Sequence, residues 1–259
     1  MKTLKVLHAG CVTDEVKRAC EKFAEDFPYK PVQVSSDGSV NCVRRVLDGE
    51  ECDVLILADN SLFDLMMIPD YVDGYAVFAG NNMSLIAKDR KSILDSENWI
   101  DLLKNEDNEF GYYNPDIDPG GYRSVMACKL ADRFEKGLTD IMLNRKNKKI
   151  QMHRNDDKAE YYLGYHSNAY KEKNPYVDLP DIMSFGNPEY EEIYNSVSYD
   201  FGEKTVKGSL IKHAAAIPLK SDDVHFAKEF IEIFMNLDFE KCGFKKINEI
   251  HGKNPMEKE

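Results

Sequence analysis

The chain has no long apolar run. No segment reaches the roughly 18 uninterrupted apolar residues of a membrane span, so no bilayer crossing is expected. Gly10-Cys11, close to the start, could be the lipidation point of a surface lipoprotein. That requires an apolar stretch of roughly 7 to 15 residues behind the cysteine, which MKTLKVLHAG does not supply. Lys5 interrupts the run, His8 sits where a lipobox wants an aliphatic residue, and Leu4 and Val6 alternate as in a half-buried strand. No lipid anchor is expected, and the alternative is that HAGC turns a first strand into a first helix, with Cys11 facing a ligand.

Positive charge is also scarce. Against 46 acidic residues stand 34 Lys and Arg, and the net charge of −12 argues against nucleic acid or an anionic membrane surface as partner, since both need a basic face. A small anion stays possible. At physiological salt the field of distant carboxylates fades over about 8 Å, so a local cage of N–H and O–H donors suffices.

The six cysteines, at 11, 20, 42, 52, 128 and 242, form no CxxC pair, which suggests neither a zinc knuckle nor a redox dithiol. Cys20, Cys42 and Cys128 fall inside apolar helical patterns and are expected as buried thiols. Unpaired thiols favour a reducing compartment. His153, His166, His213, His225 and His251 show no ligand spacing and receive no role. There is no phosphate-loop or dinucleotide glycine pattern and no internal repeat.

What the chain does have is length and order. Its 259 residues, with 42% hydrophobic and 31% charged, allow one large domain or two lobes of about 100 to 150 residues each. The first third alternates strand and helix. TLKVLHA reads as a strand. VTDEVKRACEKFAEDF follows as a helix with Val12, Val16, Ala19, Cys20, Phe23 and Phe27 on one face and Thr13 as cap. PVQVSS is a second strand, SVNCVRRVLDG a second helix stopped at Gly49, and CDVLILAD a central parallel strand covered on both faces. This βαβαβ beginning points to an open parallel sheet. From MSLIAKDRK onward the chain is more polar. It includes the disordered-looking NRKNKK and the loop HSNAYKEKNPYVDLPD, until SDDVHFAKEFIEIFMN restores an amphipathic helix with Val224, Ala227, Phe230, Ile231, Phe234 and Met235 on one face. The expected organisation is lobe 1 at 1–84 and 218–259, lobe 2 at 85–217 and a frayed NPMEKE tail.

Four times a strand runs into a small polar turn that opens a helix: HAGC, SSDGS, ADNS and DIDPGG. In a parallel sheet the carboxyl ends of the strands share an edge, so such turns tend to line one crevice. Helix starts offer unsatisfied N–H groups and partial positive charge, which favour anions. Cys11, Ser39 and Ser61 would each add a side-chain donor. For Ser39 taken alone a helix cap is the commoner role; several such turns together favour an oxyanion cradle. Gly120 and Gly121 permit close backbone approach, or form a loose loop. Asp118 either caps the following helix or coordinates the central metal of a metal oxyanion.

These turns, within LKVLHAG, GSVNCVRRV, DVLILADNSL, MMIPDYVDGYAVFAGNNMSL, NWIDLL, FGYYNPDIDPGGYRSVM, LPDIMSFGNPEYEEIYNSVS and VKGSLI, resemble the molybdate/tungstate-binding proteins of ABC importers, particularly the branch best known from archaea. MMIPDY and NPDIDPGGYRS are specific to that branch. The resemblance implies a class II periplasmic-binding-protein fold: two α/β lobes, each a mainly parallel sheet flanked by helices, joined by crossover strands that close on a tetrahedral oxyanion. It further implies a monomeric, extracytoplasmic receptor rather than an enzyme, with molybdate or tungstate as ligand, no cofactor, and an importer permease as partner. Carried over, the oxyanion-binding positions are Cys11, Ser39, Ser61, Gly121 and Tyr165, the last in GYHSNA, with Asp118 placed to coordinate the metal.

The sequence departs from the family at two of these positions. Cys11 replaces a serine, and S–H is a weaker donor on a larger atom. Gly164 stands where the branch has a second coordinating glutamate, which leaves Asp118 without the partner of an expanded six-coordinate centre. The stretch from 137 to 160 is also shortened. Two competing classes follow: a same-fold enzyme or sensor that uses Cys11, and a relative that has lost its ligand and serves as an interaction module. His8 is a poor base for Cys11, because residues three apart on a strand face opposite ways.

Overall fold

The computed structural model describes residues 2–151 and 158–257; His153 lies outside them. The chain runs β1 (Leu4–Ala9), α1 (Thr13–Asp26), β2 (Val32–Asp37), α2 (Ser39–Leu47), β3 (Val54–Leu57), α3 (Ser61–Met66), β4 (Gly74–Gly80) and β5 (Met83–Ala87). It continues through α4 (Trp99–Lys104), β6 (Phe110–Tyr113), α5 (Pro119–Leu130), α6 (Leu138–Leu143), β7 (Lys148–Gln151), β8 (Tyr161–Tyr165), α7 (His166–Glu172) and β9 (Tyr176–Asp178). The remaining elements are α8 (Asp181–Ser184), α9 (Glu191–Tyr194), β10 (Ser198–Phe201), β11 (Lys204–Lys207), β12 (Lys212–Ala216), α10 (Val224–Met235) and β13 (Lys245–Gly252).

Two compact units result. Unit 1 comprises 1–80, 212–241 and 245–259, and unit 2 comprises 81–211 and 242–244. The expected boundaries at 84/85 and 217/218 would cut β5 and separate β12 from its sheet. The observed division at 80/81 and 211/212 keeps each strand with the sheet it pairs in.

Unit 1 is a six-stranded sheet in the order β13-β4-β12-β3-β1-β2. β1 is parallel to both β2 and β3, as the βαβαβ pattern predicts, with Ala9 opposite Asp37. β3 is fully buried, but its other neighbour, β12, is antiparallel, so it is a parallel strand on one side only. Phe23 of α1 and Phe230 of α10 pack with ring centroids 5.6 Å apart, and the two helices share this apolar cover. On the expected α1 face Val16, Ala19 and Phe23 are buried, whereas Cys20 is only half-buried. Thr13 is not the cap: it is the first helical residue, and its Oγ1 donates back to the Gly10 carbonyl at 2.7 Å. Gly49 does end α2, at φ +97°. The expected α10 stripe buries Ala227, Phe230, Ile231 and Phe234 but leaves Val224 exposed. Of the tail expected to fray, 258 and 259 lie outside the described residues; over 254–257 Asn254 accepts from the Met256 amide and Pro255 is buried.

Unit 2 holds a five-stranded sheet, β7-β6-β8-β5-β9, and the β10–β11 hairpin. β6 is parallel to β7 and β8, while β5 is antiparallel to β8 and β9. Two segments expected to be irregular are ordered. NRKNKK feeds β7, because Arg145 is buried and donates to the carbonyls of Leu103, Asn105 and Asn108. HSNAYKEKNPYVDLPD contains α7, stopped by Lys173 at φ 56°, and the edge strand β9.

Candidate functional site

In unit 1 the three polar turns follow strands that run the same way, so they meet at the carboxyl edge of the β2-β1-β3 core. After β1 the chain makes a 3-10 turn, Gly10–Val12, before α1 begins. Cys11 sits half-buried in that turn, and its Sγ lies 3.9 Å from Nδ1 of His213, a fully buried residue of β12. Nothing in the sequence signals this partner, which is 202 positions away.

After β2, Asp37 fixes the second turn by accepting from the Gly38 amide at 2.8 Å and from Asn41 at 3.1 Å. Ser39, the first residue of α2, is fully buried, and its Oγ accepts from the Ala58 amide at 2.9 Å. That bond ties the second turn to the third. It uses a lone pair of Oγ and leaves the hydroxyl proton to be donated.

The third turn is built on Asp59, fully buried, whose Oδ1 accepts from both the amide of Ser61 at 3.0 Å and its Oγ at 2.5 Å. This is the local side-chain turn that Asp-x-Ser encodes. Ser61 is half-buried, and its hydroxyl already donates to Asp59. His8 takes no part in this edge chemistry: it is buried on β1 with Nδ1 2.8 Å from the Ala9 carbonyl. Burial lowers its pKa against the smaller opposing effects of that carbonyl and Glu15.

In unit 2 the turn after β6 opens α5. Asp118 is the N-cap: Oδ1 accepts from the Gly120 amide at 2.6 Å, and the backbone carbonyl accepts from the amides of Gly121 at 3.0 Å and Tyr122 at 3.3 Å. Of the two roles the sequence allowed Asp118, the cap is present. Gly121 is required by packing, since a Cβ there would lie 2.4 Å from the Tyr113 carbonyl oxygen. Tyr165 ends β8 opposite Met83 and is buried. Gly164 faces the Ile86 and Tyr113 side chains, and a Cβ at this position would come within 3.1 Å of Ile86 Cδ1. A side chain at this position would require the end of the Ile86 side chain to shift slightly. Among the described residues no three His, Cys, Asp or Glu side chains group to hold a metal ion. No helix among them is long and apolar enough to cross a membrane.

Two α/β units, each built on parallel strands flanked by helices, with the chain passing into the second and back again, define the periplasmic-binding-protein fold. The periplasmic molybdate-binding protein of Azotobacter vinelandii matches with a TM-score of 0.64 over 93% of this chain and 98% of that one, at 15% identity. This chain belongs to the bacterial extracellular solute-binding protein family, whose pattern matches residues 4–232. It is 29% identical to an uncharacterised solute-binding protein of Petrotoga mobilis, over 96% of this chain and 85% of the relative. It is 27% identical to a molybdate/tungstate-binding protein of Pyrococcus abyssi, over 90% of this chain and 80% of the relative.

Proposed function

We propose that this chain captures a tetrahedral oxyanion, molybdate or tungstate first and sulfate-like anions second, and delivers it to the permease of an ABC importer. The observation that carries this is the meeting of three strand-to-helix turns at one edge of the unit 1 sheet, with Ser39 held so that its proton remains to be given. A buried hydroxyl anchored by a backbone amide is a preorganised donor, and donors of that kind gain strength where water is excluded. The likeness to relatives named for molybdate and tungstate supports the choice of anion.

Cys11, Ser39 and Ser61 are the unit 1 donors in this proposal, and Gly121 and Tyr165 are the unit 2 positions to test beside them. Asp118 acts as the cap that shapes its turn. Ser61 contributes only after its hydroxyl turns from Asp59, and Gly121 only after its amide leaves the Asp118 carbonyl. Those prior engagements favour, as a second reading, a relative that has lost its ligand.

A thermal-shift panel of molybdate, tungstate, sulfate and phosphate separates the two. Ligand at a thousand times its dissociation constant stabilises a folded chain by about 4 kcal/mol. Molybdate or tungstate should raise the melting temperature, and a flat response to all four anions would select the second reading.

A further inference from the structure

One of the three turns in unit 1 holds chemistry that anion capture does not require. His213, which faces the Cys11 sulfur at 3.9 Å, is fully buried, with its ring centroid 6.0 Å from that of Phe78. The imidazole is therefore held in place by packing, while Cys11 stands half-buried in the turn after β1. The other thiols lack this combination. Cys42, Cys52, Cys128 and Cys242 are buried, and burial pushes Cys52 and Cys128 up to about 12. Cys20 is half-buried on α1, where burial and, to a smaller degree, Glu21 push it up to about 11.

We propose that Cys11 and His213 form an oxidisable thiol–imidazole pair, a modification site at which a hydroperoxide converts Cys11 to a sulfenic acid. His213 Nδ1 takes the thiol proton, and the thiolate sulfur attacks one peroxide oxygen. An S–O bond forms as the O–O bond breaks, and sulfur is oxidised by two electrons as the peroxide is reduced. With hydrogen peroxide the departing hydroxide collects the proton from His213 and leaves as water. Long nitrogen-to-nucleophile contacts of this kind in resting proteins tighten as the proton moves. The thiolate is the reactive form, and a neighbouring imidazole is what raises its share near neutral pH. A consequence, which rests on the oxyanion proposal, is that bound anion shields Cys11 and that the added oxygen, seated among the same donors, abolishes capture.

The test treats the reduced full-length chain with hydrogen peroxide and dimedone, which traps sulfenic acids, and maps adducts cysteine by cysteine by mass spectrometry. Cys11 should carry at least about ten times the adduct of Cys20. His213→Asn should lower Cys11 labelling towards the Cys20 level without raising labelling elsewhere; a variant that simply unfolds would instead label several thiols. Should that variant fail to fold, the Cys11 to Cys20 ratio in the unaltered chain still decides. Equal labelling of the two, or none at Cys11, overturns the pair. Preferential labelling of Cys11 that molybdate and tungstate both fail to suppress upholds the pair and counts against the oxyanion proposal instead.

Discussion

At Ser39 the hydroxyl accepts from a neighbouring turn and still has a proton to give, whereas at Ser61 the hydroxyl already donates its hydrogen bond to Asp59. The two serines look alike in the sequence, each at a helix start after a strand, and only their partners separate them. Hydrogen bonds to charged groups are worth about 1.5 to 3 kcal/mol. Ser39→Ala should therefore weaken molybdate binding by roughly ten- to a hundredfold in titration calorimetry, while Ser61→Ala should change it by less than about threefold. Cys11→Ser replaces a weak donor with a stronger one on a smaller atom and should tighten binding, by up to about tenfold. A ranking in which Ser61 matters most would reverse these roles. The sequence showed which positions to examine, through the small polar turns. It could not show that Cys11 meets His213, because that contact is non-local, whereas the Asp59 bond to Ser61 follows from the local Asp-x-Ser pattern.

Among the elements, α5 shows how packing constrains a motif with two readings. Its Asp-Pro-Gly-Gly start is equally legible as a ligand turn and as a capped helix, and the structure shows the cap together with a close-packed glycine. Exchanging glycine for alanine inside a helix is normally favourable by about 1 kcal/mol. At Gly121 the new Cβ would press on the Tyr113 carbonyl and the backbone of Asn114 and Pro115. Gly121→Ala is thus expected to lower stability by about 1 to 3 kcal/mol, readable as a fall in melting temperature, and an unchanged or raised value would show that the turn yields freely. The joint of β5, α7 and β9 gives a prediction in pH. Burial pushes the Asp178 carboxyl up, but hydrogen bonds from His166 and Ser84 outweigh it, and the net shift is downward. A carboxyl lowered in the folded state stabilises above its unfolded value, and that stability is lost as pH falls through the folded one. Ser84→Ala should cost about 1 kcal/mol near neutrality, the carboxylate being partly exposed. The difference from the unaltered chain should shrink as pH falls below the ordinary carboxylate range, and a gap that persisted there would assign the loss to packing. The segments whose sequence reads as irregular, NRKNKK and HSNAYKEKNPYVDLPD, contribute edge strands and a short helix, which keep them polar. Their order comes from Arg145 and from pairing with β5 and β6, which no local pattern reveals.

For the whole molecule, the parallel β2-β1-β3 core was readable because each strand is followed by its own amphipathic helix within a short span. The antiparallel β12, inserted between β3 and β4, was not, since its partners lie far away in sequence and its own residues, KHAAA, carry little pattern. The same limit moved the expected boundaries by a few residues into strands that stay whole. What membership of the solute-binding family does not fix is the ligand. The most direct measurement is titration calorimetry of the purified, reduced chain with molybdate, run beside its Ser39→Ala variant. Saturable binding of one anion per chain, weakened by roughly ten- to a hundredfold in the variant, is the predicted result. Binding unaffected by the loss of that hydroxyl, or no binding of any tetrahedral oxyanion, would contradict the cradle assigned to the edge of the unit 1 sheet.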